Sequence, residues 1–204
     1  GGRIAALDTE HSSLANYADT CGVFDVVNLD APFSPARYIE IIEAAELAGY
    51  DALVIDSLTH EWTGPGGILD MADRMDAKNS YTKWKTLTPL HNTLINAMLQ
   101  ARLHIVGTVR THMKTDQVQN EQGKFAPVKL GLGPQQREGL EYEFTLVFDI
   151  RQDDHLATCT KDRTALFAAQ QIAGELITER TGERLRDWLD GGAPELPRQQ
   201  QQDV

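Results

Sequence analysis

Asp56 ends an unbroken apolar run, Ala52, Leu53, Val54 and Ile55, and is followed by Ser57 and then by the glycine-rich stretch Gly64-Pro65-Gly66-Gly67. A run of this kind reads as a strand buried on both faces. A carboxylate at its C-terminal end sits where open α/β sheets bind ligands. In a nucleotide-hydrolysing fold an Asp there holds the magnesium ion of the nucleotide; the plainer alternative is an Asp that caps the next turn. Many such ATPases place the water-activating base beside that Asp, but here the neighbour is Ser57, so the base must come from elsewhere. Glu10 is the natural candidate, just past the apolar run in RIAALDT at 3–9. A carboxylate there can orient a water for in-line attack on a γ-phosphate; the alternative is an ordinary loop glutamate. A third run, HIVGTVR at 104–110, ends in the polar groups Thr108 and Arg110 and points toward the same edge.

The elements that must position these residues alternate along the chain. Residues 3–9 give a first strand and VFDVVNLD at 23–30 a second. Ser34 can cap a helix, Pro35 fits its first position and Gly49 its exit. Tyr38, Ile41, Ile42 and Ala45 fall on one face of that helix, leaving Glu40, Glu43 and Glu46 largely toward water. The strand at 51–56 follows, which makes a βαβ unit and implies a parallel sheet. Residues 62–80 are polar and glycine-rich, with a short helix possible over Ile68–Met75. Thr88-Pro89 repeats the cap-plus-proline signal and predicts a helix running to Arg102. Residues 111–134 are polar and aperiodic and read as a long functional or disordered loop. Residues 144–151 and 155–161 predict two strands joined as a hairpin through Gln152-Asp153-Asp154. Residues 165–190 have apolar residues at helical spacing, and the Gln-rich tail 193–204 is expected to be disordered. The domain expected is therefore one, over 1–192.

Composition narrows the function classes. The chain has 204 residues, 41% hydrophobic and 24% charged, ordinary values for a globular protein. No apolar run approaches a membrane span, and no signal peptide opens the chain, so the cytoplasm is the expected compartment. A net charge of −11 argues against a protein that coats nucleic acid through a general basic surface. The exception is local: residues 111–139 carry Lys114, Lys124, Lys129 and Arg137 against Asp116, Glu121 and Glu138. Cys21 and Cys159 form no CxxC pair and read as buried thiols, and no two histidines have the i, i+4 spacing of a helical metal site.

LDTEH at 7–11 resembles the segment of RecA-type recombinases that carries the catalytic acidic residue after the second strand, and LVIDS at 53–57 resembles the Walker B strand of the same superfamily. The resemblance is closer to a phage and prophage group of RecA-like AAA-family ATPases related to single-strand annealing recombinases. It is carried by IAALDTE, PFSPARYIE, AGYDALVIDSLTHEW, TPLHN, QREGLEYEF and TKDRTALF, spread from residue 4 to residue 167. The resemblance implies a RecA-like P-loop NTPase core and ATP and Mg²⁺ as cofactors. It gives Asp56 the Walker B role and Glu10 the role of water-positioning base. It also implies that Thr108 and Arg110 sense the γ-phosphate, and that Lys161 and Arg163 form the Lys-x-Arg finger inserted into a neighbouring subunit of a ring or filament. By the same route the loops after the Asp56 and Arg110 strands would face single-stranded DNA. Lys114, Lys124 and Lys129 would then contact phosphates; Trp62, Tyr81 and Trp84 would be stacking surfaces or core. A strand near Leu176–Thr178 and a helix from Thr181 are also implied.

One departure stands out. No GxxxxGK[ST] occurs in these residues, although the family carries it just before the strand that opens this chain. The expectation is a fragment or truncated product, inactive by itself without its Walker A segment. The reading is an ATP-hydrolysing, phage-derived protein acting on single-stranded DNA in recombination or replication. The alternatives are a DNA-packaging or other motor subunit of the same fold, or an inactive scaffold remnant.

Overall fold

A computed structural model of the chain describes residues 2–76, 79–119, 125–168 and 173–191. The tail at 193–204 and Lys124 lie outside the described residues. The chain divides into two compact units, Gly1–Glu138 and Gly139–Val204.

The first unit is built on a parallel sheet of four strands, β1 (Ile4–Asp8), β2 (Asp25–Asn28), β3 (Ala52–Asp56) and β4 (His104–Gly107), in the order β2-β1-β3-β4. Parallel neighbours need crossover connections. The helix α1 (Pro35–Leu47) joins β2 to β3, while α2 (Thr59–Thr63), α3 (Ile68–Arg74) and α4 (Ser80–Gln100) lie between β3 and β4. This is the α/β, helix-flanked, mostly parallel architecture read from the sequence. By register Ala5 and Leu7 share a sheet face with Leu53 and Ile55. All four are buried, as are Tyr38, Ile42 and Ala45 of α1 and Leu94, Ile95 and Met98 of α4. Their burial, worth about 1.5–3 kcal/mol for each large side chain, makes the core of this unit.

The unbroken apolar run of β3 does not mean burial on both faces. Leu53 and Ile55 are buried, but Ala52, Val54 and Asp56 are only half-buried. Val54 lies in a cross-strand row with Ala6, Val26 and Val106, and the two outer valines are exposed. The run reflects a central position in the sheet.

Pro35 does open α1, and Gly49 ends it with φ +73°. Ser34 occupies the N-cap position, but its side chain makes no capping hydrogen bond. Thr88-Pro89 is not a helix start. The helix begins earlier, at Ser80, where Asn79 Oδ1 accepts Thr82 N–H at 2.9 Å, and Pro89 sits inside it. An apolar face through Trp84, Leu87, Leu94, Ile95 and Met98 passes over Pro89, which faces solvent, so packing outweighs the proline. Residues 111–119 and 125–134 are not loop: β5 (Thr111–Gln119) and β6 (Phe125–Pro134) pair antiparallel, with a register shift between Lys114 and Thr115. Val128, Leu130 and Leu132 alternate along β6, a strand period too short and glycine-broken to stand out in sequence.

In the second unit β7 (Leu146–Ile150) and β8 (Leu156–Asp162) form the expected hairpin, and β9 (Glu175–Leu176) adds antiparallel to β8. The helix α5 (Glu179–Gly191) follows, so strand and helix both begin slightly earlier than the resemblance implied. Phe167 is buried edge-on to Phe148 and lies under the Arg184 guanidinium, 4.5 Å from its ring centre. Cys159 is buried as expected; Cys21 is exposed.

Candidate active site

Because β1, β3 and β4 run side by side and parallel, their C-terminal ends meet at one edge. Asp8 is in register with Asp56, and Ile55 with Gly107. The ladder continues beyond the strands: Thr9 N–H donates to Asp56 O at 2.7 Å, Thr108 N–H to Ile55 O at 3.0 Å and Leu58 N–H to Thr108 O at 3.0 Å. The main-chain ladder thus reaches as far as the polar residues.

Four of the residues named from the sequence come together here. Thr108 Oγ1 donates to Asp56 Oδ1 at 2.6 Å. Glu10 lies between two donors: Ser57 Oγ donates to its Oε1 at 3.0 Å, and Arg110 Nη2 forms an ion pair with its Oε2. The main-chain N–H of Arg110 is held in turn by Thr59 Oγ1 at 2.9 Å. Asp56 Oδ2 accepts no hydrogen bond among the described residues, and the Asp56–Ser57 peptide bond is cis.

Behind this front lies a buried polar layer. Thr9 Oγ1 accepts Ser57 N–H at 2.8 Å and sits 2.8 Å from His60 Nδ1. The Thr9 hydroxyl also reaches Asp56 O at 3.1 Å and Ser57 O at 3.3 Å, so its one proton has three acceptors within range and the His60 tautomer sets which of the two side chains donates. Burial pushes the His60 pKa down, helped by His11 and opposed by Asp56, so the neutral ring is favoured. The ring stacks on Phe33 with centroids 4.8 Å apart. Deeper still, Glu61 is fully buried, with His91 Nδ1 3.0 Å from Oε1 and Gln136 Nε2 3.2 Å from Oε2. Gln136 Nε2 also donates to Leu58 O at 2.9 Å. Tyr38 OH donates to Ser57 O at 3.1 Å; burial, reinforced by the Glu61 charge, pushes that phenol far above its usual range.

The remaining candidates lie on other elements. Lys114 and Lys129 lie on the paired strands β5 and β6. Trp62 and Trp84 stack on one another at 5.8 Å and pack against Ile68, Ala72 and Leu87, so they belong to a hydrophobic cluster, whereas Tyr81 is exposed. Lys161 and Arg163 belong to the second unit. There Lys161 Nζ donates to Glu141 O at 3.1 Å and to Tyr142 O, and Arg163 Nη2 donates to Tyr142 O at 2.8 Å. Asp162 between them fixes the following turn by accepting from Thr164 N–H at 2.7 Å and Phe167 N–H at 2.8 Å.

Reading the sequence passed over Asp8, Thr9 and the Glu61–His91–Gln136 layer. Asp8 and Thr9 sit inside the segment that carries Glu10, and a polar pair ending an apolar strand is the signal that would have found them. Glu61, His91 and Gln136 give no such signal, because their partners are 30 and 75 residues away.

The donor set suits a hard cation. Magnesium takes oxygen ligands and is commonly held by one or two carboxylates together with substrate phosphates, and Asp56 offers a carboxylate oxygen with no hydrogen-bond partner beside the Thr108 hydroxyl. Among the described residues no three His, Cys, Asp or Glu side chains form a protein cage for a metal. No helix among them is long and apolar enough to cross a membrane. No curated protein matches the sequence. The model of the AAA domain family matches residues 2–173, and this chain therefore belongs to that family of P-loop ATPase-like domains.

Proposed function

We propose that the protein is a RecA-like, phage-derived nucleotide-handling protein that binds and hydrolyses ATP with Mg²⁺ and acts on single-stranded DNA in recombination or replication. The observation that carries the nucleotide part is the convergence of Glu10, Asp56, Thr108 and Arg110 at one edge of the parallel sheet. Membership of the AAA domain family supports it. In this reading Asp56 holds Mg²⁺, which when bound neutralises charge on the β- and γ-phosphates. Thr108 orients the Asp56 carboxylate. Glu10, gripped by Ser57, takes a proton from the attacking water, and Arg110 supplies positive charge to the γ-phosphate. Lys161 and Arg163 would serve a neighbouring subunit in a ring or filament, where a cation supplied in trans is worth about 10³–10⁵ in rate. To act there they must leave the Glu141 and Tyr142 carbonyls they now hold.

Lys114, Lys124 and Lys129 are the proposed phosphate contacts for DNA. The hairpin carrying Lys114 and Lys129 grows directly from Arg110, with Gln135 N–H closing its base on Arg110 O at 2.7 Å. Lys114 lies four residues beyond Arg110 on that hairpin, with Lys129 opposite Thr115.

Calorimetric titration of ATP with Mg²⁺ into the 204-residue chain, beside an Asp56→Ala variant, tests the reading. Binding that the variant loses supports it. No heat from a folded chain overturns it for this chain. Binding of a single-stranded oligonucleotide that weakens steeply with salt supports the DNA role, and nucleotide binding without it points to a motor of the same fold.

A further inference from the structure

Asp8 is a buried carboxylate, 1% exposed, that makes no ion pair with any cationic side chain among the described residues. Burying a charge is costly unless it is hydrogen-bonded, so its bonds show what it is for. Asp8 Oδ1 accepts the main-chain N–H of Glu10 at 2.7 Å, and Oδ2 accepts the main-chain N–H of Leu14 at 2.8 Å. One side chain thus grips both ends of the segment 10–14. Between those two points the backbone is in an uncommon state: His11 has φ +58° and Ser12 φ +64°. Left-handed residues without a glycine cost of order 1 kcal/mol or more each and persist only where their surroundings over-determine them. Ser12 O also accepts the Ala15 N–H at 3.2 Å, so Asp8 holds the two ends of the turn and the following helical turn holds Ser12.

The consequence falls on Glu10. Its Cα is fixed from behind by the Asp8 bond to its own N–H, and its carboxylate is fixed in front by Ser57 Oγ at 3.0 Å. Asp8 itself is too enclosed to meet a ligand, and each of its oxygens is already aimed at an amide, which separates it from the neighbouring Asp56. We infer that Asp8 is a positioning residue: it clamps the strained turn after β1 so that the Glu10 carboxylate is held at the sheet edge. The inference rests on the reading of Glu10 as the water-orienting base. An aspartate suits the task better than an asparagine, because both of its oxygens accept, whereas an asparagine would turn an N–H₂ toward one of two N–H groups.

The test compares the parent with Asp8→Asn by amide hydrogen exchange in this chain, and by ATP hydrolysis in a form of the protein that includes a Walker A segment. Loss of a charge-assisted hydrogen bond should speed exchange at Glu10 and Leu14 by about ten- to a hundredfold, while the β1 amide of Leu7 stays as protected as before. Unchanged protection at Glu10 and Leu14 overturns the clamp. In hydrolysis, Asp8→Asn should lower kcat with KM for ATP unchanged, and adding Glu10→Gln should cost little more, because the two act as a unit. Losses that multiply, or a change in KM alone, overturn the positioning role. A Glu10→Gln variant as active as the parent overturns the reading of Glu10 and the role of Asp8 with it. Protection lost with kcat intact overturns the role of Asp8 alone. Should Asp8→Asn fail to fold, Leu14→Pro removes one of the two clamped amides without touching the buried carboxylate, and it should lower kcat in the same direction; an unchanged kcat overturns the role.

Discussion

Glu10 and Arg110 are 100 residues apart in sequence and form an ion pair at the carboxyl edge of the sheet. The arginine side chain is 56% exposed, so water and salt weaken the attraction. A double-mutant cycle with Glu10→Gln and Arg110→Gln, followed by urea unfolding, should give a coupling of no more than about 1 kcal/mol. It should shrink further in high salt. A larger, salt-insensitive coupling would mean that the pair is a structural brace.

His60 gives the edge a pH response. Its folded pKa lies below the ordinary 6.5 because of burial first and His11 second, so the unfolded chain takes up a proton more readily. The stability it contributes is complete above pH 6.5 and is lost as pH falls below that value. Melting temperatures near about pH 7.5 and about pH 5.5 should fall more in the parent than in His60→Gln. An equal fall in both would show that other groups carry the response.

Pro89 leaves the carbonyl one turn before it, at Lys85, without an intrahelical donor. Pro89→Ala restores that bond at a solvent-facing position. It should stabilise the first unit by about 1–3 kcal/mol, read as a higher urea midpoint with unchanged m-value. A loss of stability would show that the proline is needed for the path of α4.

Gln136 Nε2 donates to two buried acceptors, Leu58 O and Glu61 Oε2. Gln136→Leu leaves each without that partner and should cost about 1–3 kcal/mol. Gln136→Glu should cost more, since it sets a second carboxylate beside Glu61. The same urea series measures both, and a neutral Gln136→Leu would show that water replaces the amide.

The parallel core was legible because its strands are short apolar runs that stop at polar residues. Asp8, Asp56 and Thr108 mark those stops. The helix α1 was legible for the same reason, bounded by Pro35 and Gly49. Local signals failed where tertiary contacts decide. Thr88-Pro89 carries a start signal that the apolar face of α4 overrides. The strands β5 and β6 are polar enough to pass for a loop, and what defines them is each other. In the site, Glu10, Asp56, Thr108 and Arg110 could be named because each ends or follows a strand. The bonds among them could not, since a hydrogen bond between residues 47 or 52 positions apart leaves no mark on either segment.

The strand β4 has a neighbour on only one side, β3, among the described residues. Edge strands open locally at lower free energy than central ones, and this one delivers both Thr108 and Arg110. The cluster is therefore only as durable as its least protected strand. Opening of β4 would separate the hydroxyl and the guanidinium from the two carboxylates while β1 and β3 stay paired, so the two main-chain bonds that tie Thr108 to Ile55 and Leu58 guard the site as well as the sheet.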